Sequence, residues 1–205
     1  MQNDLPPLPA GASARERILL TAHALFYRDG IRATGIDRII AQASVTKVTL
    51  YRHFPSKDDL VLAFLEYRHR QWMEWFAAAL SRNGGDIGAL VPTLGEWFAD
   101  EGFRGCAFIN SAAEVGASLP GAAAICRRHK QEMTAWLATL LPPQEGLDAS
   151  AIAQAVDGAI VRAQCGDPDL ALRALSRTVA ALTGGQAVQC LSAGEPAVHR
   201  PGHAS

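Results

Sequence analysis

An all-helical chain is what these 205 residues predict, and three observations predict it. Apolar residues recur at i, i+3, i+4 spacing along nearly the whole length, as one face of a helix requires. Helix-capping signatures recur just ahead of those runs. Sustained period-two alternation and an Asn-Gly hairpin, the marks of strands, are both missing. About nine helices are expected: three short ones near the N-terminus, then a larger helical unit.

Taken in order, residues 1–12 contain LPPLP and no periodic pattern, and read as a disordered arm; without a basic residue it is unsuited to a minor groove. Ser13-Ala-Arg-Glu16 fits a capping box, in which the serine oxygen and the glutamate satisfy orphan N–H groups. Ile18, Leu19, Ala22, Leu25 and Phe26 form that helix's inner face, and Asp29-Gly30 ends it. Thr34-Gly-Ile-Asp37 repeats the signature and opens a second helix with Ile36, Ile39, Ile40 and Ala43 inward. Ser44-Val45 makes a turn, Thr46 caps a third helix, and Pro55 stops it. Ser56-Lys-Asp-Asp59 caps a long fourth helix reaching about Leu80 or Ser81, with Leu60, Phe64, Tyr67 and Trp72 inward. Beyond Gly84-Gly85, helices are expected near 87–101, 107–117, 120–141, 149–165 and 168–183, the last with proline at its first position. Residues 186–205 read as a mobile tail. His199 and His203 there are separated by Pro201-Gly202, which no metal-binding helix would tolerate.

Composition narrows the function classes. Apolar content of 49% and charged content of 19% are ordinary for a soluble domain. Cys106, Cys126, Cys165 and Cys190 are scattered, which argues against a zinc site or a disulfide framework. Neither a membrane-length apolar run nor a signal-peptide pattern occurs, so a cytoplasmic chain with reduced thiols is expected, with no cofactor. Net charge is −1, yet residues 14–70 hold ten basic and six acidic side chains against nine and fourteen elsewhere. A basic head on an acidic body suits a protein whose N-terminal third meets a polyanion.

The third helix carries the chemistry. TKVTLYRHF has only Leu50 and Phe54 as an apolar seam, and otherwise presents hydrogen-bonding side chains. Two helices holding a third across a tight turn make a helix-turn-helix, whose last member lies in the major groove. Lys47 can donate to guanine, Thr46 and Thr49 offer hydroxyls, and Val48 can meet a thymine methyl. Tyr51, Arg52 and His53 follow where the helix exits toward the backbone. Lys57 adds a cation, and Thr34 stands at the start of the second helix.

Thr34, Ile39, Leu50-Tyr-Arg-His-Phe54 and Pro55-Ser-Lys-Asp-Asp-Leu60 together resemble the TetR family of repressors over roughly residues 14–62. That resemblance implies a homodimer. A head of residues 13–55 would bind half a palindromic operator, and residues 56–185 would dimerise and take a small-molecule inducer. Carried over position by position, it implies phosphate contacts from Thr34, Thr46, Tyr51, His53 and Lys57, and base reading by Lys47, Val48, Thr49 and Arg52. Two positions depart from the family pattern. The usual Ala-Gly-Val turn reads Ala43-Ser44-Val45, at a cost of about 1 kcal/mol if Ser44 is left-handed. A common glycine is replaced by Val48, so operator preference should differ.

The second half is less specific. FRGCAFINSAAE, 103–114, resembles a segment of some of these repressors. Trp72, Phe76, Trp97, Phe98, Phe108 and Trp136 could wall an apolar chamber with Asn110 and Glu114 as anchors, suiting an apolar or aromatic inducer. Each aromatic taken singly is ordinary core. Arg104 could activate Cys106 toward electrophiles, although buried inert cysteine is commoner. Ile152, Val156, Ile160, Leu172, Leu175 and Val179 could pair two helical hairpins across a two-fold axis, or cover one chain's own core. An enzyme is disfavoured, since no catalytic motif occurs and nothing ties Glu114 to His129. A nonspecific architectural binder would be more basic and lack the large apolar second unit.

Overall fold

A computed structural model describes residues 11–141 and 148–184; the expected arm, except its last two residues, and the tail lie outside them. Nine α-helices occur among the described residues: α1 Ala14–Asp29, α2 Ile36–Ala43, α3 Lys47–His53, α4 Lys57–Arg82, α5 Leu90–Phe98, α6 Ala107–Val115, α7 Pro120–Thr139, α8 Ala149–Gln164 and α9 Pro168–Leu182. A single 3-10 turn, Ile87–Ala89, leads into α5.

Local chemistry sets most of these boundaries. The Ser13–Glu16 box closes in both directions, with Ser13 N–H donating to the Glu16 carboxylate at 2.8 Å. Thr46 Oγ1 accepts from Thr49 N–H at 3.1 Å, and Ser56 Oγ accepts from Asp59 N–H at 3.0 Å. Asp167 caps α9 by accepting from Leu170 N–H at 3.0 Å, with Pro168 following. Ser44 sits at φ 51°, ψ 52°, the left-handed conformation that ends α2 where glycine would be unstrained.

Helices α1 to α3 form a head in which α1 packs on both α2 and α3, and it joins the body through α1 against α4. In the body α4 packs on α7, α6 on α7, α7 on α8, and α8 lies along α9. Leu50 and Phe54 plug α3 into the core shared with Ile18, Ile39 and Leu60. Arg15 covers the Phe54 ring at 5.0 Å, and Arg17 Nε donates to the Ala43 carbonyl at 3.2 Å, tying α1 to the end of α2.

The body corrects two expectations. Ile152, Val156, Ile160, Leu175 and Val179 are buried within one chain, and Leu172 is half-buried beside Gly95 of α5. They close a single chain's core rather than face a partner, because α8 and α9 turn their largest aliphatics toward α5 and α7. Their outward surface carries Val161, Leu170 and Leu182, with open space above Gly158. The rings expected to wall an aromatic chamber instead meet one another across neighbouring helices. Trp72 stacks on Phe76 at 4.5 Å and meets Trp97 at 5.8 Å, Phe76 meets Trp136 at 6.4 Å, and Phe98 is buried beside Trp97 at 6.2 Å. Phe108 stacks on His129 at 3.6 Å. Rings at helical spacing that meet across neighbouring helices gain more by contact with each other than by leaving a void.

Candidate nucleic-acid interface

Helix α3 shows which of its side chains packing uses and which it leaves over. Leu50 is buried, whereas Val48, two residues earlier, is 79% exposed. Thr46, Lys47, Tyr51 and Arg52 share that exposed surface, and Thr49 and His53 flank it, half-buried. An apolar residue left in water on a seven-residue helix gains nothing from the fold. A single exposed valine is ordinary on a protein surface, but this one stands among Lys47, Tyr51 and Arg52 on a face that packing leaves over.

The polar side chains around Val48 are lightly committed. Lys47 Nζ stands 3.8 Å from Asp37, but both side chains are largely in solvent, so the pair adds little and is easily exchanged for a base edge or phosphate. Thr46 and Thr49 share a hydroxyl hydrogen bond at 2.9 Å. Lys57 uses one of its three donors on the Ile31 carbonyl at 2.7 Å, which holds its ammonium beside the loop between α1 and α2. Eight of the nine expected contact residues therefore gather on α3 and the start of α4.

Thr34 is the exception, and the expectation that it touches phosphate is corrected. The residue is fully buried, and its hydroxyl donates to the Gly30 carbonyl at 2.7 Å. It satisfies an orphan carbonyl beyond α1 instead of capping α2, whose N-cap is Gly35 and which has no side-chain cap.

Asn110 and Glu114 stand apart from the aromatic cluster, at the joint between head and body. Glu114 accepts the main-chain N–H of Arg32 at 2.9 Å, and a side chain on Gly30, at φ 91°, would press on its carboxylate. Asn110 donates to the Arg104 carbonyl at 3.0 Å. The same joint holds a residue that sequence reasoning passed over. Tyr27 of α1 donates to the Gly105 carbonyl at 2.8 Å and accepts from Arg104 N–H at 3.1 Å, while the buried Arg68 guanidinium lies 4.0 Å over its ring. Burial pushes the Tyr27 hydroxyl above its ordinary pKa. Its sequence signal, a tyrosine on the inner face of α1, is the same as that of any packing residue.

Arg104 is not the cation beside Cys106. Its guanidinium donates to the carbonyls of Glu101 and Phe103, whereas Lys130 Nζ lies 3.5 Å from the buried Cys106 sulfur and also pairs with Asp157. Among the described residues no group of three or more His, Cys, Asp or Glu side chains is placed to hold a metal ion, and no helix is long and apolar enough to cross a membrane.

Known proteins resemble this chain in sequence and in fold. A profile of bacterial regulatory proteins of the tetR family matches residues 18–64. The HTH-type transcriptional activator FasR of Mycolicibacterium smegmatis is 44% identical over 55 residues, 27% of this chain and 25% of that protein. The HTH-type transcriptional regulator QacR of Staphylococcus aureus is 33% identical over 60 residues, 29% of this chain and 32% of that one. Against these curated relatives the matched stretch is thus a quarter to a third of their length. A crystal structure of a regulator from Streptomyces coelicolor is similar across both parts, with 32% identity and a TM-score of 0.75 over 85% of this chain and 90% of that one.

Proposed function

The chain belongs to the TetR family of DNA-binding transcriptional regulators rather than to any enzyme class, and on that footing we propose that it is a cytoplasmic repressor, a homodimer on a palindromic operator, released by a small apolar or aromatic inducer. The observation that carries the DNA contact is the exposed Val48 amid Lys47, Tyr51 and Arg52, on a helix anchored only by Leu50 and Phe54. In that reading Lys47, Val48, Thr49 and Arg52 meet base edges, and Thr46, Tyr51, His53 and Lys57 meet phosphates.

A dimer places two such helices one helical turn apart, about 34–36 Å. The exposed Val161, Leu170 and Leu182 support α8 and α9 as the pairing surface, in place of the buried residues beneath them. An inducer acts by binding better to a state in which that spacing is lost. Selecting fragments of the source genome on the purified protein identifies the operator. Light scattering that finds a monomer at micromolar concentration, or a target gene whose transcription falls when this chain is deleted, would count against the dimer and against repression respectively.

A further inference from the structure

Between the head and the body lies a cleft of about 690 Å³, within the size range of sites for small molecules. Phe26 of α1, Phe64 of α4 and Phe103 give it an apolar floor. Asn110 and Ser111 of α6 with Gln164 of α8 give it a polar wall. We infer that this cleft is the effector site, and that its ligand is an uncharged, ring-bearing molecule with a hydrogen-bonding group at one end. The inference rests on the ligand-responsive reading above and places that ligand away from the tryptophan-rich core.

The charge of the ligand follows from how the rim is paired. Asp29 accepts from Arg28 at 2.8 and 3.0 Å and from Arg38 at 2.8 Å. Glu114 holds the Arg32 N–H, and Arg104 donates to two carbonyls. An ionic ligand would lose water there and meet a rim whose charges balance, Arg28 and Arg104 against Asp29 and Glu114, which is costly. A neutral amide or hydroxyl meets the opposite situation. The Gln164–Asn110 hydrogen bond is long, 3.4 Å, and is readily exchanged for a ligand's donor or acceptor, with Ser111 adjacent. Three aromatic side chains in the lining suit a planar ring.

Position gives the ligand its effect. Tyr27, Arg104 and Glu114 all line the cleft, and their hydrogen bonds are the latch between α1–α2 and the body. A molecule that widens the cleft must strain those bonds, so the occupied state favours a tilted head.

The test titrates the full chain, by calorimetry, with naphthalene-2-carboxamide and its anionic isostere naphthalene-2-carboxylate. A fragment of this size is expected to bind with Kd of about 1 mM or tighter. The carboxylate is expected to bind at least about tenfold more weakly. Ala113→Trp, at the exposed rim, fills the cleft and abolishes binding; Gln164→Trp serves the same purpose should the first variant fail to fold. Trp97→Phe leaves binding unchanged. The inference is overturned by absent saturable binding, by preference for the carboxylate, by binding that survives both filling variants, or by binding lost in Trp97→Phe. That last result would move the ligand to the core, where the Trp72 and Trp97 indole N–H groups find no acceptor among the described residues. A protein–operator complex that ignores bound carboxamide overturns the effector role. A chain that binds no genomic duplex defeats the repressor reading instead, and leaves the titration to judge the cleft as a binding site.

Discussion

The head and the body of this protein put apolar residues to different uses. In the head, α2 and α3 bury only a minimal seam, and the surplus side chains of α3, Val48 above all, point outward. In the body, most large aliphatics and rings turn inward, with Val161, Leu170 and Leu182 the exceptions, and α4, α5 and α7 interlock through Trp72, Phe76, Trp97 and Trp136. The difference teaches that exposed chemistry on a small scaffold is specific to its partner, whereas buried packing accepts many solutions. Relatives reflect this: the family profile matches residues 18–64, and likeness over most of the chain is seen in a solved structure.

The sharpest way to break the contrast is to remove the head's anchor. Phe54→Ala is expected to cost about 3–5 kcal/mol and abolish DNA binding, because so few residues share its load. Val48→Ala should leave the urea midpoint unchanged and alter operator preference. Equal midpoints for the two variants would show that α3 is not held by its seam.

Acid should strike the body and its joint with α1 before the recognition surface. Burial, then the nearby Arg68, pushes His23 down to about 3. Burial, followed by Lys130 and His69, pushes His129 down to about 2. Below pH 6.5 the unfolded chain binds protons that these folded imidazoles refuse, so stability is complete above 6.5. It falls by about 1.4 kcal/mol per pH unit for each group as pH drops toward those values. Urea unfolding at pH 7.5 and 5.0 measures the loss. His129→Gln should roughly halve the slope, and an unchanged slope would assign the effect elsewhere.

Lys47→Ala sharpens the head's side of the comparison, with an expected loss of about 1–3 kcal/mol in operator over random-DNA binding. Equal losses on both would make Lys47 a phosphate contact. The smallest effect belongs to the turn. Ser44→Gly relieves the left-handed strain but loosens the unfolded chain, for a net gain of about 0.5 kcal/mol in thermal unfolding.

Helix order, the caps at Ser13, Thr46, Ser56 and Asp167, and the strained turn at Ser44 were all legible from residue order. Capping and turn chemistry act within four residues, so a local reading captures them. The exposed face of α3 was legible for the same reason: an i, i+4 seam leaves most of its remaining side chains facing out. What the sequence by itself determined, then, is the order of the helices, the starts of α1, α3, α4 and α9, and which residues of α3 face solvent. Tertiary packing alone decided that Thr34 turns back onto α1, that the aliphatics of α8 and α9 close their own chain, and that Asn110 and Glu114 join Tyr27 at a cleft. Periodicity shows that a helix has an inner face; which neighbour that face meets depends on helices tens of residues away.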